Sequence, residues 1–280
     1  MSITNKIQKV SNSSALFEFV KWALIACMMA IFALPMMFAF FAAFRPPNEF
    51  YASTVRIIPE EPTLSTWVDA FVSLQDQLVN SFIIATGTTI MSMVIVIPAA
   101  YVFARKQFPG KITLFYLIIA AMMFPYVLLI IPIASIWDGL GLYNSIVGLW
   151  IGYQIFVTPF AIWILRDYFA KLPTNLEESA QMYGCTQASA FLRVVLPLSA
   201  PAVVAVGFLS FLTAWNDFLM SNMLTTGVGP RPAVVQLYII TTGEVKHWGL
   251  VMAMTFIIGF PPTVLYLLGR RQLSQSFSVG

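Results

Sequence analysis

Residues 173–197 read PTNLEESAQMYGCTQASAFLRVVLP, a polar segment set between two long apolar runs, Ile146 to Leu165 and Pro201 to Leu224. Within it, Glu178-Ser179-Ala180 is followed by three residues and Gly184, then by nine residues and Val194-Val195-Leu196-Pro197. Pro173 with Thr174 or Asn175 offers a helix start, and Glu177 and Glu178 fall in the first turn, where the macrodipole favours negative charge. Ala180 and Gly184 sit four apart and leave one helix face nearly bare, so that another protein's surface can approach closely. The plainer reading is a polar connection with an ordinary helical turn.

Four more apolar runs accompany those two: Ala23 to Phe44, Phe82 to Phe103, Ile112 to Trp137 and Leu250 to Leu268. Asp217 is the only formal charge inside any of the six. With 59% apolar and 10% charged residues and a mean hydropathy of +0.82, the chain is far from the soluble average of roughly a quarter charged. Each run meets the roughly 20 residues a helical span needs, and none alternates as a barrel strand does. The expected fold class is therefore an all-α polytopic membrane protein with six transmembrane helices. Its expected organisation is a 1–22 lead and a 23–280 bundle, with an outer loop at 45–80 and a cytoplasmic loop at 166–200. The outer loop holds Pro46, Pro47, Pro59 and Pro62 among acidic residues and reads as a small cap with a helix from Ser65 to Gln75.

Lys and Arg set the orientation. With the N-terminus inside, Lys6, Lys9, Lys21, Arg105, Lys106, Lys111, Arg166, Lys171, Arg193, Arg270 and Arg271 are inner, while Arg45, Arg56, Arg231 and Lys246 are outer. Both termini, and the 166–200 loop, are then expected in the cytoplasm. The net charge of +3 is scattered over short loops, which argues against a nucleic-acid partner. The first apolar run is too long for a cleaved signal peptide and reads as a retained helix in the lipid bilayer.

Enzyme chemistry is poorly provided for. Cys27 and Cys185 fall on different sides of the expected topology, and with His247 as the single histidine no metal-ligand cluster can be assembled. Gly110-Lys111 lacks the upstream glycine and the following Ser or Thr of a phosphate-binding loop. No catalytic residue is expected.

The Glu178 to Pro197 pattern resembles the EAA loop of ABC-importer permeases, with Ser179 in place of the second residue and Val194 in place of an isoleucine. The end of the second span, Ala99-Ala100-Tyr101-Val102-Phe103-Ala104-Arg105 with Phe108-Pro109-Gly110-Lys111, is similar to the maltose-type carbohydrate-uptake subfamily, as are Trp215-Asn216-Asp217 and Arg270-Arg271. The subfamily often has Asp where this chain has Tyr183. The resemblance implies a type I importer permease fold and a short cytoplasmic helix that docks on an ATPase subunit through Glu177, Glu178, Ser179, Ala180, Gly184, Val194, Leu196 and Pro197. It also implies a second permease, usually a different chain, two ABC ATPase subunits that bind ATP and Mg, and an extracytoplasmic solute-binding protein. No cofactor belongs to this chain on that reading. A sugar or sugar derivative leads as solute, with glycerol phosphate or another polyol derivative as alternative. An ion-coupled secondary transporter, a different class, would need more intramembrane ionisable groups and an internal repeat.

In the fifth run Ser210, Thr213, Asp217 and Ser221 fall at helical spacing, with Trp215 and Asn216 beside them. A charge at mid-membrane costs about 2.5–3.5 kcal/mol on insertion scales, so this stripe should face a watery path or a partner helix. Asn and Asp beside an aromatic ring suit a carbohydrate's hydroxyls and C–H faces; the alternative is that Asp217 fixes the bundle. Tyr153 and Gln154, with Thr158, Thr86, Thr89 and Asn80, are further pathway candidates. Gly148 and Gly152 permit close helix approach, inside the subunit or to a second permease. Pro125, Pro132, Pro159 and Pro261-Pro262 predict kinks.

Overall fold

The structure, a computed structural model, describes residues 3–46, 49, 58–227, 229–243 and 247–277, with side chains described from residue 17 to residue 270. The described residues are helical, without a strand. In chain order the helices are α1 (Ile3–Ala42), α2 (Ser65–Arg105), α3 (Lys111–Met123), α4 (Val127–Gly139), α5 (Ile146–Lys171), α6 (Asn175–Met182), α7 (Gln187–Ala190), α8 (Leu196–Leu198), α9 (Ala200–Asn216), α10 (Leu219–Leu224), α11 (Ala233–Thr242) and α12 (Trp248–Phe277). A π-helical turn, Phe191–Val195, joins α7 to α8. Phe17–Ala42, Ser65–Arg105, Ile146–Lys171 and Trp248–Arg270 are each long and apolar enough to cross a membrane, and two bent helix pairs, Lys111–Met123 with Val127–Gly139 and Gln187–Leu198 with Ala200–Asn216, bring the count to as many as six if each pair is one span.

The chain divides into two compact units. The first comprises Met1–Phe71 and Val245–Phe256. Phe40 packs edge-on against Phe44 at 5.2 Å and Phe256 at 5.5 Å, and Trp67 lies 5.3 Å from Phe44. The Thr63 amide donates to the Phe44 carbonyl and the Thr66 hydroxyl to that of Arg45. Much of the expected cap, residues 47, 48 and 50–57, lies outside the described residues. The helix expected from Ser65 to Gln75 does begin at Ser65, but it runs on to Arg105 without a break. Buried Ala70, Leu74 and Ser81 recur at helical spacing, and no proline interrupts the helix before Pro98. Asn80 and Ser81, which stand just before the expected second span, thus lie inside α2.

The second unit comprises Val72–Glu244 and Ile257–Gly280. One part of its core gathers Val96, Ala100 and Tyr101 of α2, Leu165 and Phe169 of α5, Phe191 and Val206. Another gathers Ile84, Tyr153, Phe211, Trp215, Met220 and Leu224. Gly148 and Gly152 serve this packing: a Cβ on Gly148 would sit 2.1 Å from the Leu142 carbonyl oxygen, and one on Gly152 would sit 3.0 Å from Met220 Cε. Their close approach is therefore made within the subunit.

Two expected spans are not single helices. The 112–137 run is α3 and α4, bent by 100°. Pro125 disfavours helical geometry in the residue before it, and Phe124 is extended at ψ 130°. The 201–224 run is α9 and α10, separated where Asp217 is extended at ψ 128°. Pro132, Pro159, Pro261 and Pro262 by contrast lie inside continuous helices.

Candidate functional site

Two places gather the expected functional residues. The first is the connection from α5 to α9. α6 starts after Thr174, whose side chain makes no cap hydrogen bond, and carries Glu177 and Glu178 in its first turn. It ends in a Schellman motif: the Cys185 amide donates to the Ala180 carbonyl and the Gly184 amide to that of Gln181. Gly184 has φ +88°, a left-handed conformation that glycine adopts without the Cβ clash of other residues. It lies past the helix end, so the requirement for glycine is a backbone one and not a bare helix face.

The two glutamates diverge. Glu177 is 7% exposed, its Oε2 accepting from the Tyr101 hydroxyl at 2.7 Å and its Oε1 from Arg105 Nε at 2.8 Å. Arg105 Nη2 also donates to the Leu172 carbonyl at 2.7 Å, closing the end of α5. Glu178, Ser179 and Gln181 are exposed, and beside them Met182 is 82% and Tyr183 92% exposed. Of the residues expected to meet an ATPase, Glu177 is thus engaged inside the chain, Ala180 is half-buried, and Glu178 and Ser179 face outward. Val194 and Leu196 are half-buried, with Leu196 packed on the core around Phe169 and Phe191. Pro197 is exposed and has no N–H for the Arg193 carbonyl; the π turn just before it accommodates this, with the Leu196 amide donating to Phe191.

The second place is the break between α9 and α10. Asp217 Oδ2 accepts from the Tyr153 hydroxyl at 3.0 Å and from the Ser221 amide at 3.1 Å, so the carboxylate holds an N–H that the broken helix leaves free. The stripe expected on a continuous helix is split by this break. Ser210 and Ser221 are buried and donate to the carbonyls of Val206 and Asp217. Trp215, 2% exposed, stacks on Phe211 and donates to the Ile258 carbonyl, in the core and not on a path. Tyr153 is fully buried and meets Asp217 through its hydroxyl, and Gln154 donates to the carbonyls of Thr88 and Trp150.

What remains open is a cleft of about 480 Å³ lined by Tyr126, Phe156, Thr213, Asn216, Asp217, Phe218 and Leu219. Tyr126 and Phe156 stand 5.5 Å apart at its edge. Three aromatic rings beside a carboxylate and an amide can stack on C–H faces and exchange hydrogen bonds with hydroxyls. The sequence reading missed Tyr126, Phe156, Phe218 and Leu219. Phe124-Pro125 was the available signal for the first, because the bend brings Tyr126 to the cleft. Among the described residues no group of His, Cys, Asp and Glu could hold a metal ion.

The profile of a family described as "Binding-protein-dependent transport system inner membrane component" matches residues 96–277, a stretch holding both places. The chain belongs to that family. As such a permease it is a multi-pass protein of the cytoplasmic membrane and a transport subunit. It is 31% identical to the trehalose transport system permease protein SugB of Mycobacterium tuberculosis, over 92% of this chain and 96% of SugB. It is 31% identical to the sulfoquinovosyl glycerol transport system permease protein SmoH of Agrobacterium fabrum, over 84% and 82%. To the trehalose/maltose transport system permease protein MalG of Thermococcus litoralis it is 29% identical over 91% and 93%. The permease also superposes on a chain of a bacterial ABC transporter involved in the import of alginate, with a TM-score of 0.73 and 18% identity over 98% of this chain and 99% of that one. Its fold is that of ABC importer permeases.

Proposed function

We propose that this chain is the permease subunit of an ATP-driven importer of a sugar or sugar derivative, coupled to its ATPase through the exposed face of α6. The observation that carries the coupling is the division of labour on α6, with Glu177 bonded inward and Glu178, Ser179, Met182 and Tyr183 presented outward. Gly184, Val194, Leu196 and Pro197 set the backbone that holds this face. A carbohydrate is supported by the trehalose, sulfoquinovosyl glycerol and maltose of the relatives' names and by the aromatic and amide lining beside Asp217. Asn216, Thr213 and Asp217 are the polar groups placed to meet it.

The working particle on this reading holds a second, different permease, two ATPase subunits that bind ATP and Mg, and an extracytoplasmic binding protein. On this reading both termini lie in the cytoplasm, an orientation supported by the distribution of Lys and Arg. The test is reconstitution of the chain with its co-purifying subunits and binding protein, followed by ATP-driven uptake of labelled trehalose and maltose, with methionine as control. ATP-dependent accumulation of a sugar is expected, and Gly184→Arg, which strains the Schellman turn and adds a bulky cation, should abolish it while the chain still inserts. Uptake driven by an ion gradient without ATP would overturn the proposal.

A further inference from the structure

α6 is eight residues long, and its one buried side chain is an acid, Glu177. A short surface helix is ordinarily seated by apolar residues, whose contacts are non-directional and allow the helix to slide or roll. Here the seat is made of directed bonds. The Glu177 carboxylate takes the Tyr101 hydroxyl on one oxygen and Arg105 Nε on the other, and the side chains of the ion pair are 10% and 9% exposed. Both donors stand one helical turn apart at the end of α2. Charge-assisted bonds of this kind fix orientation as well as distance.

The same two residues reach the flanks of the connection. Arg105 Nη2 holds the Leu172 carbonyl where α5 ends, and the Tyr101 ring lies 4.2 Å from that of Phe191, at the start of the π turn, and 6.1 Å from that of Phe169. Lys106 adds a bond to Gln187 of α7. The end of α2 thereby grips the segment before α6, α6 itself and the segment after it.

We propose that Tyr101, Arg105 and Glu177 form a latch that makes α6 and the end of α2 move as one body, delivering a displacement of the exposed α6 face to the α2 helix. These are positioning residues, and the inference rests on the coupling reading above. The latch accounts for why the acid beside the outward-facing Glu178 is turned inward, and why a tyrosine and an arginine close the second long helix.

The experiment uses the whole complex with its binding protein, in a Cys27→Ser/Cys185→Ser background, with spin labels at Val102 on α2 and Leu176 on α6. Their separation is measured without nucleotide and after trapping with ATP and vanadate. In the otherwise native complex one separation is expected in both states. In Arg105→Met/Glu177→Leu, apolar residues of similar volume replace the pair, a change that buried ion pairs commonly tolerate. A second separation should then appear on trapping, with the ATPase subunits still co-purifying. Glu177→Gln keeps an acceptor at the site and serves if the double variant does not assemble; it should show the same second separation as a minor population. A native separation that changes on trapping, or variants that track the native complex in both states, would overturn the latch. Failure of any ATPase to co-purify with the native chain would instead overturn the coupling reading on which it rests.

Discussion

Asp217 illustrates what a single residue is asked to do. Its Oδ2 holds the Tyr153 hydroxyl and the Ser221 amide, and the residue also lines the open cleft. Asp217→Ala would strand both donors, each costing about 1–3 kcal/mol when buried and unmatched. Assembly and uptake should therefore fall together in that variant. Asp217→Asn keeps an acceptor, so the complex should assemble with near-native yield on size exclusion, and any loss of uptake reports on the cleft. Gly184 poses a cleaner question. With φ +88° and open space where a Cβ would stand, its constraint is conformational, and a β-branched residue should lose about 1–2 kcal/mol or more there. Gly184→Asn should retain binding-protein-stimulated ATP hydrolysis, because Asn tolerates the left-handed region, while Gly184→Val should lose most of it. Spacing makes Gly184 conspicuous in the sequence. The reason for it, a Schellman turn, emerges only from the Cys185 and Gly184 hydrogen bonds.

At the scale of elements, the long apolar helices are legible because composition alone requires them, whereas their interruptions are legible only where proline stands at the break. Pro125 marks the α3–α4 bend in advance. The α9–α10 break carries no proline or glycine; it is held by Asp217 and Tyr153, residues remote in sequence. That is why the stripe from Ser210 to Ser221 looks like one face in the sequence when it is two. Trp215 misleads for the same reason, since its stacking on Phe211 and its bond to Ile258 depend on which way α9 turns. The continuity of α2 is obscured by polarity: Asp76 and Gln77 follow the expected helix end at Gln75 and look like loop, yet buried Leu74 and Ser81 on either side of them keep one helical register. α6 depends on its seat. Removing one partner of a buried ion pair costs about 3–5 kcal/mol, so Glu177→Ala should lower the thermal midpoint of the detergent-solubilised chain markedly more than Glu178→Ala, which is exposed.

For the molecule as a whole, hydropathy and the placement of Lys and Arg establish a six-span design with both ends in the cytoplasm as the expectation. A green fluorescent protein fused after Gly280 should fluoresce, and alkaline phosphatase fused there should be inactive; the opposite pair of results would invert the topology and remove α6 from the cytoplasm. The central proposal is that the outward face of α6 is where the permease meets its ATPase. A photo-crosslinking amino acid at Tyr183, compared with one at exposed Tyr238 in α11, tests it in the assembled complex. An adduct with the ATPase subunit is expected from position 183 and none from position 238. No ATPase adduct from 183, or an equal one from 238, would contradict it.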